Sequence, residues 1–318
     1  MNQTLNSSKA SESALNAQGM TYLAVSSLVM FTCVCGIAGN GVVIWLLSLR
    51  RERTPFCVYV FNLAWADLLF LLCMASILCL EIIPLSHTWT RWDLAYDVVR
   101  RVKYFAYTAS LSLLTAISVQ RCISVLFPIW YKCHQPQHLS TVVCTLLWAL
   151  SFLMNMLASF LCARFLHSDL TQCFTVDMVL NGLIMGAFTP LMVLSSLILF
   201  VRVRKSSGQW RRQPMRLYMV ILASVFVFLI FSLPLGLYWF VLYWANLPNE
   251  VTLLYTCVSR LSSAFSSSAN PAIYFFVGSR RSQRLKESLG TVLHRALQEE
   301  PELEGRETTS SGTSELGV

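Results

Sequence analysis

Seven long apolar blocks run through this 318-residue chain and constrain its fold more than any other feature. A helix needs about 20 mostly apolar residues to cross the hydrocarbon core of a bilayer. Because no water reaches that core, the backbone must satisfy its hydrogen bonds internally, which a helix does without a partner strand. The sequence therefore predicts an all-α membrane protein, a seven-transmembrane helix bundle. The blocks are residues 20–49, 57–83, 104–127, 139–162, 178–203, 217–244 and 251–277.

The composition excludes a soluble protein of ordinary type. Hydrophobic residues make up 55% of the chain and charged residues 13%, whereas soluble domains carry about 25% charged residues. The net charge of +8 comes from short basic clusters between the apolar blocks, which is typical of loops beside a membrane. We therefore expect lipids as partners and no nucleic acid.

The basic connectors also predict the orientation, because cytoplasmic loops are enriched in Lys and Arg. They place the amino terminus outside and, after seven spans, the carboxyl terminus inside, as expected for a multi-pass plasma-membrane protein. The polar residues 1–18 do not have the pattern of a cleavable signal peptide. The connectors are Arg50, Arg51 and Arg53, then Lys132, residues 202–216, and the segment after residue 277.

Three regions follow from this reading. Residues 1–19 are an extracellular tail with sequons at Asn2 and Asn6, which predict glycosylation. Residues 20–290 contain the bundle and a short amphipathic eighth helix, predicted from the basic segment 278–286 with Leu289 and Val292 along the inner leaflet. A disordered basic tail is the alternative for that segment. Residues 291–318 are predicted to be a disordered cytoplasmic tail, rich in Ser and Thr, and arrestin is a candidate partner there.

A few polar residues interrupt the apolar blocks, and such residues are functional candidates because they are costly in a membrane. Asp67, Asn40 and Asn270 are the main ones. These three residues form a polar link between helices, or alternatively Asp67 and Asn270, together with Ser110, hold an allosteric sodium ion. No other cofactor and no further metal site is indicated.

An ordered set of motifs runs through these blocks: Gly39-Asn40, Leu63-Ala64-x-Ala66-Asp67, Arg121, Trp148, Pro190, Pro234 and Asn270-Pro271-x-x-Tyr274. Over about residues 20–290 this set resembles the rhodopsin-like class of G-protein-coupled receptors. Residues 104–108, 111–118, 120–122 and 266–271 further resemble the Mas-related receptors.

This resemblance implies a receptor that activates heterotrimeric G proteins. The whole chain is most similar to one member of the family, which implies a receptor in sensory neurons for small amino-acid-like ligands such as β-alanine. A different small molecule or a peptide is the alternative ligand. The implied docking surface for the G protein comprises Arg121, Tyr274 and the third-loop residues Arg211, Arg212 and Arg216.

Two departures from the class pattern concern activation. Gln120 stands where most of the class has an acidic residue, so the usual ion pair to Arg121 cannot form, and we expect Arg121 to be held more weakly. Ser232 stands where the class has a tryptophan, two residues before Pro234, so the sixth helix needs another trigger.

The predicted ligand site lies at the outer mouth of the bundle. Arg101 can grip a carboxylate through two hydrogen bonds, and Asp177 can accept from an ammonium group. Trp239 is placed to form a wall of the site and to attract the cation. The resemblance supports these three positions, but a direct Arg101–Asp177 salt bridge is an equal alternative from the residues alone. Lipid headgroups are the alternative partners for Arg101, Arg100 and Lys103, and Lys103 points to another helix face.

Two cysteines flank a ten-residue outer loop in an oxidising compartment that permits a disulfide. They are Cys162 and Cys173. Most rhodopsin-like receptors tie this loop to the third helix, but residues 96–103 contain no cysteine. Resemblance to the Mas-related receptors implies a Cys162–Cys173 bridge, with free thiols as the alternative.

Other classes of protein fit the sequence poorly. An enzyme is not expected, because the five histidines are scattered and no paired zinc spacing or nucleophile motif is present. A transporter would show duplicated halves or several charged or broken segments in mid-membrane, and this chain shows neither pattern.

Overall fold

The computed structural model describes residues 2–49, 54–82, 89–134, 136, 138–165, 170–205, 215–237, 241, 248–279 and 289–297. Within these residues the regular structure is helical. The helices are α1 Asn2–Ser48, α2 Pro55–Ile82, α3 Trp89–Leu126, α4 Pro128–His134, α5 Leu139–Phe165, α6 Leu170–Lys205, α7 Met215–Val227, α8 Leu233–Gly236, α9 Asn249–Ser279 and α10 Leu289–Leu297, with a π-helical segment Phe228–Ser232 between α7 and α8.

The seven-transmembrane bundle is confirmed. Among the described residues, α1, α2, α3, α5 and α6 are long and apolar enough to cross a bilayer. The sixth span is the composite of α7, the π-helical segment and α8, and the seventh is the serine-rich, 31-residue α9. Helices α3 and α6 begin before the predicted blocks at residues 104 and 178, because their outer turns carry polar side chains that an apolar count leaves out.

The sixth span changes its helical geometry next to a proline. Pro234 has no N–H group and cannot donate to the carbonyl one turn earlier, which disturbs the regular α pattern. The π-helical segment Phe228–Ser232 ends directly before α8, which contains Pro234. Short π-helical turns inside α-helices are frequent at functional sites and are, like proline, a known cause of helix kinks.

The burial pattern differs from that of a soluble protein, because polar side chains lie inside the apolar core and large apolar side chains cover the exterior. Buried polar residues include Asn40, Asp67 and Ser118, which are at most 1% exposed. Large apolar side chains on the outer face of the bundle are exposed, among them Phe31, Trp45, Leu146, Phe160 and Phe226. A water-soluble monomer rarely exposes an apolar surface of this extent, so this outer face is the lipid-facing surface.

Polar side chains join the helices inside this apolar shell. Trp148 of α5 donates its indole N–H to the Asn62 side-chain oxygen of α2, at 3.0 Å. Asn40 of α1 donates to the Ser267 carbonyl of α9 at 3.2 Å, and Ser268 donates to the Thr32 carbonyl at 3.0 Å. These bonds join neighbouring helices through groups that must pair within the protein, because the surrounding medium contains no water.

The described carboxyl-terminal helix extends further than predicted. Helix α10 runs over Leu289–Leu297 and contacts α9 and α7. The helix overlaps residues 291–297 of the predicted tail, and Leu293 and Leu297 within it are buried to 1% exposure. The predicted basic helix at 278–286 lies outside the described residues from 280 onward, as does the tail after 297.

The first helix includes the predicted extracellular tail, since α1 begins at Asn2. The side chains before Gly19, including the sequon residues Asn2 and Asn6, are outside the described part of the structure. Their glycosylation stays a prediction.

We predict that Gly36→Ala lowers the thermal unfolding midpoint of the detergent-purified protein by several degrees. A Cβ atom at Gly36 would lie 2.1 Å from the Ser268 Oγ and 2.6 Å from the Leu71 Cδ1. Ser268 is held by two carbonyls, and overpacking of this kind costs about 1–3 kcal/mol. Gly41→Ala is the matched control, because a Cβ there meets nothing within 4 Å. Equal midpoints for the two variants would contradict the assignment of this contact.

Candidate functional site

The predicted ligand residues Arg101 and Asp177 come together at one end of the bundle, the end that the basic connectors predict to be the outer one. The Arg101 Nη1 of α3 donates to the Asp177 Oδ1 of α6 at 2.5 Å. The Arg101 side chain is 20% exposed and that of Asp177 8%. The direct salt bridge, which the sequence left as an alternative, is the arrangement in this structure.

The salt bridge closes one side of a small cavity between α3, α5 and α6. Arg101, Tyr104 and Thr108 follow each other at helical spacing and so share one face of α3. The cavity has a volume of about 10 Å³, which is room for roughly one water molecule. A larger ligand therefore does not fit unless the lining residues move. The lining residues are Arg101, Tyr104, Thr108, Met154, Asn155, Ala158, Asp177, Leu180, Asn181 and Ile184.

The arrangement offers a cation and an anion that face each other across two helices. A carboxylate can accept hydrogen bonds from the guanidinium of Arg101, and an ammonium can donate to the carboxylate of Asp177. Asn181, which lines the same cavity, donates its amide to the Asp177 carbonyl at 2.7 Å. A small molecule with opposite charges at its two ends has both of its partners here.

Three other predicted outer residues are not described. Trp239 lies outside the described residues, so the aromatic wall stays a prediction. Cys162 lies in α5 and Cys173 in α6, but both side chains are outside the described part. The disulfide also stays a prediction.

Lys103 points away from this cavity, as its helical position predicted. Its side chain is buried, with the residue 7% exposed, and its Nζ lies 4.6 Å from the centre of the Tyr104 ring. Only a small part of this residue is therefore accessible to a lipid headgroup. Arg100 instead pairs with the exposed Asp97 at 3.0 Å.

The predicted residues of the membrane centre also come together. Asp67 of α2 is fully buried, and its Oδ1 accepts from the Ser110 hydroxyl of α3 at 2.8 Å. Its Oδ2 accepts from the Asn270 amide of α9, also at 2.8 Å. The described residues hold no cluster of three or more His, Cys, Asp or Glu side chains placed for a metal. The carboxylate nevertheless keeps acceptor positions beyond these two bonds, and oxygen donors suit a hard cation such as sodium.

At the inner end, Arg121 is held by an aromatic ring. Its guanidinium carbon lies 4.6 Å from the centre of the Phe56 ring, and the residue is 4% exposed. Gln120 is engaged elsewhere, because its Nε2 donates to the Tyr131 hydroxyl at 3.1 Å. We expected a weakly held arginine, but a buried cation–π contact stands where the usual ion pair is missing.

The remaining predicted inner residues are described only in part. Tyr274 is 3% exposed, and Pro271 packs against Gly39, where a Cβ would lie 3.1 Å from the proline ring. Arg211 and Arg212 lie outside the described residues, and Arg216 lies in α7 with its side chain outside them. Ser232 ends the π-helical segment and Pro234 lies in α8, again without described side chains.

A pair of aromatic rings that we did not predict links α3 to the sixth span. The Tyr107 and Phe228 rings stack with centres 6.2 Å apart and an interplanar angle of 24°. The Tyr107 hydroxyl also lies 3.7 Å from the Met185 Sδ of α6. A Cβ at Gly236 would come within 2.5 Å of Met185 and 2.9 Å of that hydroxyl. Only glycine therefore fits beside this ring without a shift of its neighbours.

A second unpredicted cluster joins four helices at the outer end. Arg260 of α9 donates to both oxygens of Glu81 of α2, at 2.7 and 2.8 Å. Tyr22 of α1 and Tyr96 of α3 donate to the same carboxylate, at 2.5 and 3.2 Å. The signal for this cluster in the sequence was a pair of opposite charges, Glu81 near one end of the second apolar block and Arg260 in the seventh.

Comparison with known proteins agrees with this architecture. Residues 39–274 match the 7 transmembrane receptor (rhodopsin family). The chain is 63% identical over 323 residues to the Mas-related G-protein coupled receptor member D of Macaca fascicularis, with both chains covered completely. It is 63% identical over 324 residues to human member D, again over the full length of both. Human member X1 is 41% identical over 291 residues, which are 90% of this chain and 87% of that protein.

These matches cover the same helices that carry the outer salt bridge, the buried Asp67 cluster and the inner arginine. Identity of this level over the whole length shows the family as well as the fold. The chain therefore belongs to the rhodopsin family of seven-transmembrane receptors and, within it, to the Mas-related G-protein coupled receptors.

Proposed function

We propose that this receptor responds to a small amino-acid-like zwitterion of the β-alanine type, bound between Arg101 and Asp177. Family membership makes the chain a multi-pass plasma-membrane receptor that signals through heterotrimeric G proteins, and not an enzyme. The identity of the ligand goes beyond family membership. The observation that carries it is the nearly buried ion pair between α3 and α6.

The ion pair supports a zwitterion because each of the two protein charges keeps a counter-charge when such a ligand replaces the direct contact. When the ligand enters, its carboxylate takes the place of Asp177 beside Arg101, and its ammonium takes the place of Arg101 beside Asp177. Neither buried protein charge is then left unpaired, which would be costly. A ligand with one charge would leave either Arg101 or Asp177 without a counter-charge.

The effect of a bound ligand can reach the sixth span through residues that lie next to the cavity. Thr108 and Ile184 line the cavity, and their neighbours Tyr107 and Met185 contact each other next to Phe228. Separation of α3 from α6 at the cavity would change the packing around Tyr107. This contact is our candidate for the trigger that replaces the tryptophan missing at Ser232.

Activation is then a shift between two populations. The ligand binds more tightly to the conformation with the sixth span displaced outward, and the G protein favours the same conformation from inside. Arg121, Tyr274 and the third-loop residues Arg211, Arg212 and Arg216 form the proposed docking surface. The Phe56 ring holds Arg121 in the resting state.

We predict that Arg101→Ala and Asp177→Ala each abolish the β-alanine response of G-protein activation while surface expression stays near that of the wild type. Each change leaves one ligand charge unpaired in a nearly buried site, which reduces potency by about 100-fold or more. Dose–response curves in cells, normalised to surface expression, measure this effect.

Asp97→Ala is the matched control for the loss of an outer charge, because Asp97 is largely exposed and outside the cavity. Propionate and β-alaninamide test the two charges of the ligand separately, and both should be weak on the wild type. Retained potency in both alanine variants would overturn the pocket. A silent wild type at normal surface expression would instead overturn the ligand class and favour a different small molecule or a peptide.

We predict that Phe56→Leu raises basal signalling. Leucine keeps an apolar side chain in this buried position but removes the ring beneath the Arg121 guanidinium. A cation–π contact is worth about 0.5–2 kcal/mol, so the resting-to-active ratio should shift by roughly 2- to 30-fold. Agonist-free G-protein activation measures the change, with Phe61→Leu on the same helix as control. Equal basal signalling in the two variants would refute this restraint.

We also propose that Asp67, Ser110 and Asn270 hold a sodium ion that stabilises the resting state. The fully buried carboxylate with a serine hydroxyl beside it supports this assignment. The residues would supply oxygen ligands and a compensating negative charge, and no cofactor beyond this ion is proposed.

We predict that replacing sodium by N-methylglucamine, at constant chloride, raises the basal signalling of the wild type about two- to tenfold. The same replacement should leave the basal signalling of Asp67→Asn unchanged. The asparagine keeps the shape of the side chain but removes the negative charge that a cation needs. Basal nucleotide exchange on isolated membranes measures both variants. Asp97→Asn, the same change at an exposed position, should keep the wild-type response. A wild type that ignores sodium would exclude the site.

A further inference from the structure

A group of basic side chains lies at the outer end of the bundle, on a different face of α3 from the Arg101–Asp177 cavity. Lys103 and Arg100 of α3 belong to it, together with the Arg260–Glu81 pair of α9 and α2. The charges of Arg100, Arg260 and Glu81 all lie close enough to act on the Lys103 ammonium. We call these four residues the outer basic cluster.

The one carboxylate in this cluster has no capacity left for Lys103. Each Glu81 oxygen already accepts two hydrogen bonds: Oε2 from Arg260 and Tyr22, and Oε1 from Arg260 and Tyr96. A carboxylate offers about four acceptor positions in total. The Arg260–Glu81 pair is therefore complete and neutral, and the charges of Arg100 and Lys103 remain.

Lys103 is buried without an anionic partner among the residues that the structure describes. The residue is 7% exposed, and its ammonium contacts the face of the Tyr104 ring. An aromatic face attracts a cation but does not accept its three hydrogen bonds. A buried charge is normally paired, so this lysine needs a counter-charge that the described protein groups do not supply.

Arg100 provides a second donor group without a partner, the N–H on its Nε, although another of its nitrogens is paired. Its Nη2 is paired with Asp97, whose side chain is 60% exposed. Its Nε is buried, and within the described part of the chain it has no hydrogen-bond partner. Arg100 and Lys103 are three residues apart in α3 and so lie on the same side of the helix.

We propose that Lys103 and Arg100 bind a small monovalent anion, a halide or a carboxylate, in a site separate from the Arg101–Asp177 cavity. The anion accepts from the Lys103 ammonium and the Arg100 Nε–H. Because Asp97 already pairs with Arg100, one positive charge remains, and the anion neutralises it. Because Glu81 links α1, α2, α3 and α9 next to these cations, the bound anion stabilises the outer end of the folded bundle. The proposal does not depend on the identity of the agonist.

The test is the thermal unfolding of the full-length receptor, purified in lipid-free detergent micelles, as chloride replaces isethionate. Sodium concentration and ionic strength stay constant, so the Asp67 site and general screening do not change. A ligand of the folded state raises its stability with concentration until saturation. We expect the wild-type midpoint to rise by several degrees and Lys103→Met to show no chloride dependence.

Lys103→Met also has an expected effect in isethionate alone. Methionine fills a similar volume without a charge, so this variant should unfold at a higher temperature than the wild type there, and the difference should shrink as chloride is added. Arg202→Gln, which removes a charge at an exposed position of α6, should keep the full wild-type dependence. Bromide and acetate titrations then distinguish a halide site from a carboxylate site.

Two results overturn the proposal. One is a wild-type midpoint that does not respond to chloride, bromide or acetate. The other is the same response in Lys103→Met as in the wild type. If Lys103→Met yields no folded receptor, Arg100→Gln decides the question: a shallower chloride dependence supports the site, and the wild-type dependence rejects it.

Discussion

The absence of water from the bilayer core is the constraint on which the rest of this structure depends. Backbone groups in the core pair within each helix, and polar side chains turn inward, where they can pair with one another. Asn62 with Trp148, and Asn40 with the Ser267 carbonyl, join helices in this way. The same rule concentrates functional chemistry in the bundle, because ionisable groups such as Asp67 and Arg121 have few other places to lie.

The fold and several site contacts could be predicted from sequence because their signals are strong in the chain itself. Apolar blocks of membrane length predict the spans, and the isolated polar residues Asp67, Ser110 and Asn270 had to find partners inside the bundle. Arg101 and Asp177 could be proposed as neighbours, but the choice between direct contact and a bridging ligand could not be made. Both arrangements satisfy the same two charges, so no sequence pattern separates them.

Other contacts depend on how the helices pack, which local patterns do not encode. In the sequence Phe56 is one of many apolar residues of α2, and only the structure shows that its ring contacts Arg121. The stacking of Tyr107 on Phe228 depends on the rotation of two helices whose residues are far apart in the chain. Helix α10 continues past residue 290 because leucines find a surface on α9 and α7, a surface that exists only after the bundle has formed.

In the pocket that we propose, the direct bond between Arg101 and Asp177 is an internal competitor for the agonist. An arriving molecule meets a site whose partners are already engaged with each other at 2.5 Å, so the observed affinity would be the intrinsic affinity reduced by the fraction of pockets in which the two residues are apart. On this proposal the closed pair sets a detection threshold, and ligand at a low steady concentration leaves the receptor unoccupied.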